Sequence, residues 1–397
     1  MLSPTPNAPV FRVGIYRSSS IGDVVLATAC LDLLARLKVP VEVTWIGRQP
    51  ALGLISAAWP DMRCISVKRS DTLPELSEIA GQLGNLHVLV DLQSNLRSKW
   101  LCMQVHRQFR VPVFTAAKAQ VERSKLLVSA RLRGRRKPLP LKALVPRRLQ
   151  YLMMCDALQQ AIVHHLPIEV RDEVDLSLVR PRLPVEGRNA DTPWEKELRF
   201  GSWLAVAPGA AHETKRAPSE TFIDILTQLK TRYRVASGQP LGLVFLGDEN
   251  DRRIALAITD QLAWTGPTLN LAGRLSLWET ALALRESEIL LSNDSALGHI
   301  AEAVDTPTAI LFGPTIEGFG FAPRMHASRA FSVLLGCRPC SKHGKSECRF
   351  ADKLCFATIA PYDVATHLLS VLGSDTTGDG LTGSQMSRLG RPARINI

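Results

Sequence analysis

The chain has 397 residues, which is more than one ordinary core accommodates and about right for two domains. Hydrophobic residues make up 46% and charged residues 21% of the chain, with a mean hydropathy of +0.04, so collagen-like and largely disordered proteins are excluded. The formal net charge of +11 is uneven, because residues 97–148, the basic segment, contain fifteen Lys and Arg against one acid, Glu122. That segment carries +14, and the rest of the chain sums to −3.

The sequence predicts an intracellular protein. Its first residues, MLSPTPNAPVF, have neither the basic nor the apolar region of a signal peptide. No apolar run reaches the roughly 18 residues of a membrane-spanning helix. Even VVLATACLDLLARL is interrupted by Asp32 and Arg36. We therefore expect no signal peptide and no membrane span.

The first half of the chain alternates predicted strands and helices. The predicted elements are a strand at 11–16, a helix at 23–38, strands at 41–46 and 86–93, and a helix at 147–162. Residues 131–148 contain three prolines and are predicted to be an exposed loop or mobile crossover. Such alternation indicates a parallel sheet covered on both faces.

A second alternating series follows a stretch rich in proline and charge. Strands are predicted at 203–208, 241–247, 269–273, 288–293 and 308–313, with helices at 219–230, 252–262, 276–284 and 296–304. The predicted organisation is a first α/β domain at 1–170, a linker at 171–200, a second α/β domain at 201–372 and a disordered tail at 373–397.

Three polar loops follow predicted strands, at the sheet edge where open α/β proteins bind ligands. They are SSSIGD (18–23), PGAAHETKRAP (208–218) and NDSALGH (293–299). The first lacks the Gly-Lys-Ser/Thr ending of a P-loop and the pattern G-x-G-x-x-G. Helix N-termini at this edge offer unpaired N–H groups and a positive dipole end, which suit phosphate.

Each loop has a purely structural interpretation beside the functional one. For Asp294 and Ser295 the alternatives are a helix cap or a cradle for an anion. Lys215 is either a solvated surface cation or a phosphate ligand. Asp23 is either a helix cap or a base that accepts a proton from an attacking hydroxyl. His299, in the first helical turn, is expected to be neutral because the helix dipole disfavours imidazolium there.

The eight cysteines fall into two groups. Four are scattered in apolar surroundings and are predicted to be small core residues: Cys30, Cys64, Cys102 and Cys155. The other four form a C-x2-C-x7-C-x6-C cluster: Cys337, Cys340, Cys348 and Cys355. A structural zinc ion is one interpretation of the cluster, although the later spacings are longer than in usual zinc ribbons. Free thiols or a locally paired loop are the others.

Together and in this order, these motifs resemble glycosyltransferase family 9, the ADP-heptose:lipopolysaccharide heptosyltransferases. The matching segments run from about residue 12 to 360: SSSIGDVVLATACLDLL, VDLQSNLRS, PGAAHETKRAP, FLGDENDRRIA, NDSALGHIAEAVDTPTAILFGPT and CRPCSKHGKSEC. The resemblance implies a GT-B architecture, in which two Rossmann-like doubly wound domains face a central cleft. It also implies inverting, metal-independent transfer of heptose from ADP-heptose, with no cofactor required.

The resemblance further implies roles for individual residues. Asp23, in the loop that contains Gly22, corresponds to the general base, and Lys215 corresponds to a ligand of the donor phosphates. Asp251 is expected to hold the nucleoside side of the donor, with Asp248 and Glu249 as alternatives. The residues expected around the diphosphate and sugar are Asp294, Ser295, Ala296 and His299.

Two positions depart from the family pattern. Ala296 stands where glycine is usual, which crowds the approach of a phosphate to the backbone. Ala217 stands where tryptophan is common, which removes a packing anchor but no reactive group. Both departures affect the expected geometry of the donor more than the expected reaction.

The expected acceptor is a hydroxyl of the anionic inner-core glycolipid of lipopolysaccharide. The basic segment is expected to steer the enzyme to the cytoplasmic face of the inner membrane, as a peripheral protein. An ordinary solvated loop is the alternative, and nucleic-acid binding is not expected because no binding module is recognised. Rival functions are a GT-B enzyme with another nucleotide sugar or a protein acceptor, and a non-catalytic relative.

Overall fold

The computed structural model describes residues 10–117, 120–135, 137–167, 175–233, 240–345 and 347–373. The described residues divide into two units. The first unit holds those up to 117 and those from 148 to 184, and the second holds those from 120 to 147 and from 185 onward. No helix within these described ranges is long and apolar enough to cross a membrane. The predicted tail lies outside the described residues, apart from Gly373.

The first unit contains a sheet of five parallel strands. The strands are β1 Phe11–Tyr16, β2 Val41–Gly47, β3 Arg63–Ser66, β4 Val88–Asp91 and β5 Val113–Thr115. The helices are α1 Ile21–Ala27, α2 Ala29–Leu34, α3 Ala51–Ala58, α4 Leu73–Gly81, α5 Leu96–Phe109 and α7 Gln150–His165, with α6 Gln120–Arg133 belonging to the second unit. The central strands β1 and β4 are almost wholly buried, which explains why most of their residues are apolar.

The second unit contains a sheet of six parallel strands. The strands are β6 Ser202–Ala207, β7 Leu241–Phe245, β8 Thr268–Asn270, β9 Ile289–Asn293, β10 Thr308–Leu311 and β11 Arg329–Phe331. Its further helices are α8 Pro193–Phe200, α9 Ser219–Arg232, α10 Glu249–Leu262, α11 Leu277–Arg285, α12 Ala296–Ala303, α13 Leu354–Ala357 and α14 Pro361–Leu372.

Both sheets have the doubly wound strand order. It is β3-β2-β1-β4-β5 in the first unit and β8-β7-β6-β9-β10-β11 in the second. The order reverses between β1 and β4, and again between β6 and β9. In such sheets the ligand crevice lies at the carboxyl ends of the two strands that flank the reversal. All three polar loops follow strands of these two pairs, so the fold places each of them at a crevice.

The predicted helix at 23–38 is two helices, α1 and α2, and it begins earlier, at Ile21. Thr28 separates them, and its hydroxyl donates a hydrogen bond to the carbonyl of Val25 at 2.7 Å. The same oxygen accepts the backbone N–H of Arg182 at 3.0 Å. The apolar spacing continues through this break, which is why the periodicity alone predicts a single helix.

Part of the basic segment packs on the second unit rather than on the first. Arg123 of α6 lies 4.9 Å from the ring centre of Phe321. A Cβ atom on Gly318 would lie 1.9 Å from the carbonyl oxygen of Ala143, so glycine allows the two backbones to touch. The assignment of the whole basic segment to the first domain is therefore wrong for residues 120–147. The helix α6 is also absent from the sequence prediction, and its last three residues fall in the stretch 131–148 that the sequence predicts to be a loop. The described residues between Arg133 and Arg148 contain only a short 3-10 turn at Leu141–Ala143.

Candidate functional site

An ion pair lies at the carboxyl end of β9. The ammonium of Lys215 is 2.6 Å from Oδ2 of Asp294, and the hydroxyl of Thr315 donates to the same oxygen at 2.6 Å. Burial by itself would raise the pKa of Asp294, but the charge of Lys215 and these hydrogen bonds hold it below its ordinary value. The carboxylate therefore positions Lys215, and it makes no hydrogen bond that caps α12.

The loop that carries Lys215 is fixed to the strand by Asn293. This side chain is fully buried. Its Nδ2 donates to the carbonyls of Pro208 at 2.6 Å and Gly209 at 3.3 Å, and its Oδ1 accepts the N–H of Ala217 at 3.2 Å. Asn293 is missing from the predicted site residues. The signal that indicates it is a polar amide at the end of an otherwise apolar buried strand.

The first turn of α12 faces the same crevice edge. Ser295 occupies the N-cap position, but its hydroxyl makes no capping hydrogen bond and lies 3.2 Å from the hydroxyl of Ser292. Ala296 is the first helical residue and is half-buried. His299 is half-buried and its ring centre lies 6.0 Å from that of Phe321. The side-chain cap that the structural interpretation predicts at Ser295 is therefore not present.

Asp251 is a buried carboxylate in the first turn of α10. Its Oδ2 accepts the N–H of Asp248 at 2.9 Å, so it acts as a capping partner. Its Oδ1 makes no hydrogen bond with any described residue and lies 3.9 Å from Nη2 of Arg216. Burial raises its pKa. A Cβ on Gly209 would lie 2.0 Å from Oδ1, so glycine lets the loop after β6 pass close to this carboxylate.

The alternatives to Asp251 differ from it in exposure. The side chain of Glu249 is 71% exposed, and Asp248 is the exposed N-cap of α10, where its carboxylate accepts N–H groups of the first turn. Of the three acids, only Asp251 is a buried group with an oxygen that lacks a described hydrogen-bond donor.

In the first unit, Asp23 lies in the first turn of α1, directly after the buried Gly22. Its Oδ2 is 2.8 Å from Nη2 of Arg17 and accepts hydrogen bonds from the hydroxyl of Ser20 at 2.9 Å and its N–H at 3.2 Å. The side chain of Asp23 is 21% exposed, so solvent reaches it. The helix-cap interpretation is thus observed, and it coexists with an ion pair that fixes the orientation of the carboxylate.

Gln93 joins the loop after β4 to the loop after β1. Its Oε1 accepts the backbone N–H groups of Ser18 at 3.0 Å and Ser19 at 3.2 Å. Its own N–H donates to Oδ1 of Asp91 at 2.9 Å, which fixes the start of its own loop. Sequence reasoning assigns no site role to Gln93, because its partners lie about 75 positions away in the loop after a neighbouring strand. It also assigns none to Arg17, although its partner Asp23 lies in the same loop region.

The cysteine cluster lines a cavity of about 800 Å³ in the second unit. All eight cysteines are free thiols. Burial raises the pKa of Cys340 to about 11 and that of Cys355 to about 12, so both are neutral. Within the described part of the chain, no group of three or more His, Cys, Asp or Glu is arranged to hold a metal ion. A zinc ion bound by Cys337, Cys340, Cys348 and Cys355 stays an untested prediction.

The cysteine-rich segment contacts the loop that carries Lys215. The N–H of Thr214 donates to the carbonyl of Lys345 at 3.1 Å, and the hydroxyl of Thr214 accepts the N–H of Lys345 at 2.7 Å. The ammonium of Lys353 donates to Glu213 at 2.7 Å. These contacts hold the residues just before Lys215, whereas Asn293 holds Pro208 and Gly209 at the start of the loop and Ala217 after Lys215.

Comparison with known proteins finds a match to one family model and several similar proteins. Residues 182–351 match the family model described as glycosyltransferase family 9 (heptosyltransferase), a range that includes Lys215, Asp251, Asp294 and His299. The chain is 34% identical to lipopolysaccharide heptosyltransferase 1 of Pseudomonas aeruginosa over 113 residues, or 25% of this chain and 31% of the relative. It is 28% identical to lipopolysaccharide heptosyltransferase 2 of Salmonella typhimurium over 140 residues, or 34% of this chain and 37% of the relative.

The fold is shared over a longer range than the sequence. The solved E. coli ADP-heptose LPS heptosyltransferase II superposes with a TM-score of 0.60 at 18% identity, covering 90% of this chain and 97% of that one. By sequence, the chain spans about a third of the length of the curated relatives it matches. The predicted fold class, a GT-B protein with two Rossmann-like units, is confirmed. On the family model, the curated relatives and the fold together, the chain is similar to the members of glycosyltransferase family 9.

Proposed function

We propose that this protein transfers heptose from ADP-heptose to a hydroxyl of the lipopolysaccharide inner core. The observation that carries the proposal is the cluster of Lys215, Asp294 and Thr315 beside the first turn of α12. A pre-positioned ammonium next to a helix N-terminus is suited to a diphosphate leaving group. The names of the curated relatives and of the solved relative support the donor and acceptor classes.

On the donor side, Lys215 binds the diphosphate in this proposal. An ammonium has three N–H donors. The carboxylate of Asp294 lies 2.6 Å and its carbonyl 3.4 Å from Nζ, so these two acceptors leave one donor for a phosphate oxygen. The hydroxyl of Ser295 and the amides that begin with Ala296 add neutral donors. His299 borders the sugar, and Asp251 accepts hydrogen bonds from the nucleoside through Oδ1.

On the acceptor side, Asp23 is the base. The acceptor hydroxyl forms a bond to the anomeric carbon while the bond from that carbon to the β-phosphate oxygen breaks. ADP leaves with the electron pair, and Asp23 takes the hydroxyl proton, so the anomeric configuration inverts. Arg17 and Ser20 are positioning residues, because they hold the carboxylate of Asp23 and contact no reacting group. The scheme uses positioning and electrostatics and requires no metal ion.

The experiment is a transfer assay with ADP-heptose against a panel of truncated inner-core glycolipids, together with calorimetric titration of ADP, UDP and GDP. We expect turnover with at least one truncated core and tighter binding of ADP than of the other two nucleotides. Tighter binding of UDP or GDP, or transfer to a protein acceptor, would indicate a different GT-B glycosyltransferase. Nucleotide binding without transfer to any acceptor would indicate a non-catalytic relative.

The proposed location is the cytoplasmic face of the inner membrane, with peripheral contact through the basic segment. The support is the charge of that segment, +14 over residues 97–148, and the anionic character of the proposed acceptor. Co-sedimentation with anionic vesicles at two salt concentrations tests this location. Equal or tighter binding of RNA or DNA would overturn it.

A further inference from the structure

Helix α6 packs on the second unit with one face only. Arg123 donates to the carbonyl of Phe319 at 3.1 Å, and Arg133 donates to the carbonyl of Arg338 at 3.0 Å. Leu126 packs against a small buried cluster, and Ala130 is 2% exposed. At about 100° per residue, the four helix residues named here lie on one side of α6. These residues form the inner face of α6, and their contacts attach the helix to the rest of the second unit.

The opposite face of α6 carries a stripe of exposed apolar residues. Val121 is 67%, Val128 55% and Leu132 84% exposed. Together with the exposed Lys125, they fall within an arc of about 60° on the helix, centred opposite the inner face. A helix with a packed inner face needs no apolar outer face, so this stripe is unexplained by folding.

Two more exposed apolar residues follow the helix in the chain, and a groove runs along the helix itself. Leu141 is 68% and Val145 70% exposed, in the turn that follows α6. A groove of about 990 Å³ runs along the outer face of the helix and is also lined by Lys137 and Lys342. Of the fifteen large apolar side chains that are exposed among the described residues, five therefore lie between residues 120 and 147. Three of them, Val121, Val128 and Leu132, line the groove and are called the apolar patch here.

Cations surround this patch and greatly outnumber the acids, although Arg135 is paired with Asp352. Residues 120–147 carry nine Lys and Arg against one acid, Glu122, which is paired with Arg147 at 2.8 Å. Lys125, Lys137 and Lys142 are exposed and form no ion pair with any described residue. Each side chain ends in an ammonium on a four-carbon stem, which can lie along an apolar surface while its charge stays in water.

The exposed apolar residues and the surrounding cations together indicate which kind of partner this surface binds. A nucleic acid would engage the cations but leave the valines and leucines exposed, and a second copy of this surface would bring like charges together. An anionic lipid bilayer satisfies both, since its headgroups attract lysines and its acyl boundary accepts apolar side chains. The charge of the patch thus fits a bilayer better than either alternative.

We propose that α6 lies in the plane of an anionic lipid bilayer, with Val121, Val128 and Leu132 in the acyl boundary and Lys125, Lys137 and Lys142 among the headgroups. The helix then anchors the second unit, which carries Lys215, to the surface in which the proposed glycolipid acceptor resides. This inference deepens the proposed function by locating the membrane contact, but the binding itself requires neither donor nor acceptor.

The test is co-sedimentation of the full chain with vesicles of phosphatidylcholine alone and with added phosphatidylglycerol. We expect binding to the mixed vesicles that weakens at high salt. The double variant V128S/L132S should bind at least about tenfold more weakly, because it removes buried apolar area. The double variant K125Q/K137Q should bind more weakly and lose most of its salt dependence. The control Leu256→Ser changes an exposed leucine of α10, 49% exposed, and should bind like wild type.

Unchanged vesicle binding by both double variants would overturn the proposal, as would equal binding to uncharged vesicles. A dimer in sedimentation equilibrium that V128S/L132S abolishes would identify a second copy as the occupant and would also overturn it. Melting temperatures and ADP titration show that the variants are folded. The vesicles contain no lipopolysaccharide, so binding to them does not depend on heptose transfer. A protein that binds the vesicles but transfers no heptose would contradict the proposed function and leave this inference intact.

Discussion

At the scale of single residues, Asn293 fixes the loop after β6, which carries Lys215. It satisfies three backbone groups of the loop after β6 from a fully buried position. We expect Asn293→Ala to lower the free energy of unfolding by about 2–3 kcal/mol, because it leaves buried polar groups without partners. ADP affinity should fall with it.

Chemical denaturation and ADP calorimetry check this expectation. The control is Asn189→Ala, which removes a single hydrogen bond at 2.8 Å to the exposed side chain of Arg199. Unfolding and ADP binding by Asn293→Ala that match those of the control would contradict the role given to Asn293.

Lys215 gives a second residue-scale prediction, which depends on pH. Lys215 holds the pKa of Asp294 below its ordinary value. The ion pair therefore stabilises the folded protein at pH values above the ordinary pKa of an aspartate. This stabilisation is lost as the pH falls through the pKa of Asp294 in the folded protein. In Lys215→Met the positive charge next to Asp294 is lost. Burial, which raises the pKa of Asp294, is then opposed only by the remaining hydrogen bonds, so this pKa rises. The stability deficit of the variant should be largest near pH 7 and shrink toward pH 4.

Thermal melts across this pH range and ADP titration are the measurements. ADP affinity should fall at least about tenfold, the effect of losing one charge-assisted hydrogen bond. Lys196→Met, on an exposed face of α8, is the matched control. A deficit that does not change with pH would show that the buried carboxylate is not what Lys215 stabilises.

Sequence reasoning finds some of these residues and misses others for a physical reason. Lys215 and Asp294 can be named because each follows a recognisable strand in a polar loop. Thr315 and Gln93 cannot, because their importance comes from which strands are neighbours, and sequence order does not give that. Asn293 has a sequence signal, the polar end of an apolar strand, but its three partners become known only from the structure. The structure shows which strands are neighbours, through hydrogen bonds between loops that are far apart in the chain.

At the scale of elements, the eight strands predicted from the sequence are all observed, whereas β3, β5, β11 and the helix of the basic segment are not predicted. The strand at 11–16 is predicted with its observed bounds, because its aromatic and β-branched residues are typical of a strand in a covered sheet. Helix α6 is missed because apolar and basic residues occur on both of its faces, so its pattern is not that of a helix with one buried side. The feature that hides α6 in the sequence is the one that supports its proposed contact with lipid.

The loop after β1 and the loop after β4 give an element-scale prediction. Gln93→Leu removes the acceptor of two N–H groups in the loop that orients Asp23, so we expect turnover to fall by about tenfold or more. ADP affinity should stay unchanged, because the proposed ADP ligands belong to the second unit. Gln93→Glu keeps a side-chain acceptor and should retain more activity than Gln93→Leu.

Steady-state turnover and ADP calorimetry on the same preparations provide the check. The exposed Gln82→Leu, just after α4, is the control for adding a leucine. A loss of ADP affinity in Gln93→Leu equal to its loss of turnover would contradict the separation of the two roles.

At the scale of the whole molecule, the sequence indicates two doubly wound halves and the structure confirms them. What the sequence does not indicate is the path of the chain between them, since residues 120–147 leave the first unit to join the second. Linear order suggests one continuous domain up to about residue 170. Residues 120–147 belong to the second unit because they contact residues after 310, and no local sequence pattern predicts these contacts.

The central claim, that Asp23 is the base while the second unit binds the donor, is tested most directly by Asp23→Asn. Turnover of ADP-heptose with a truncated core glycolipid and ADP calorimetry are measured beside wild type and the exposed control Asp61→Asn. We predict ADP affinity within about twofold of wild type and turnover lowered by about a hundredfold or more, the usual contribution of a general base. Near-normal turnover by a folded Asp23→Asn protein would contradict the account.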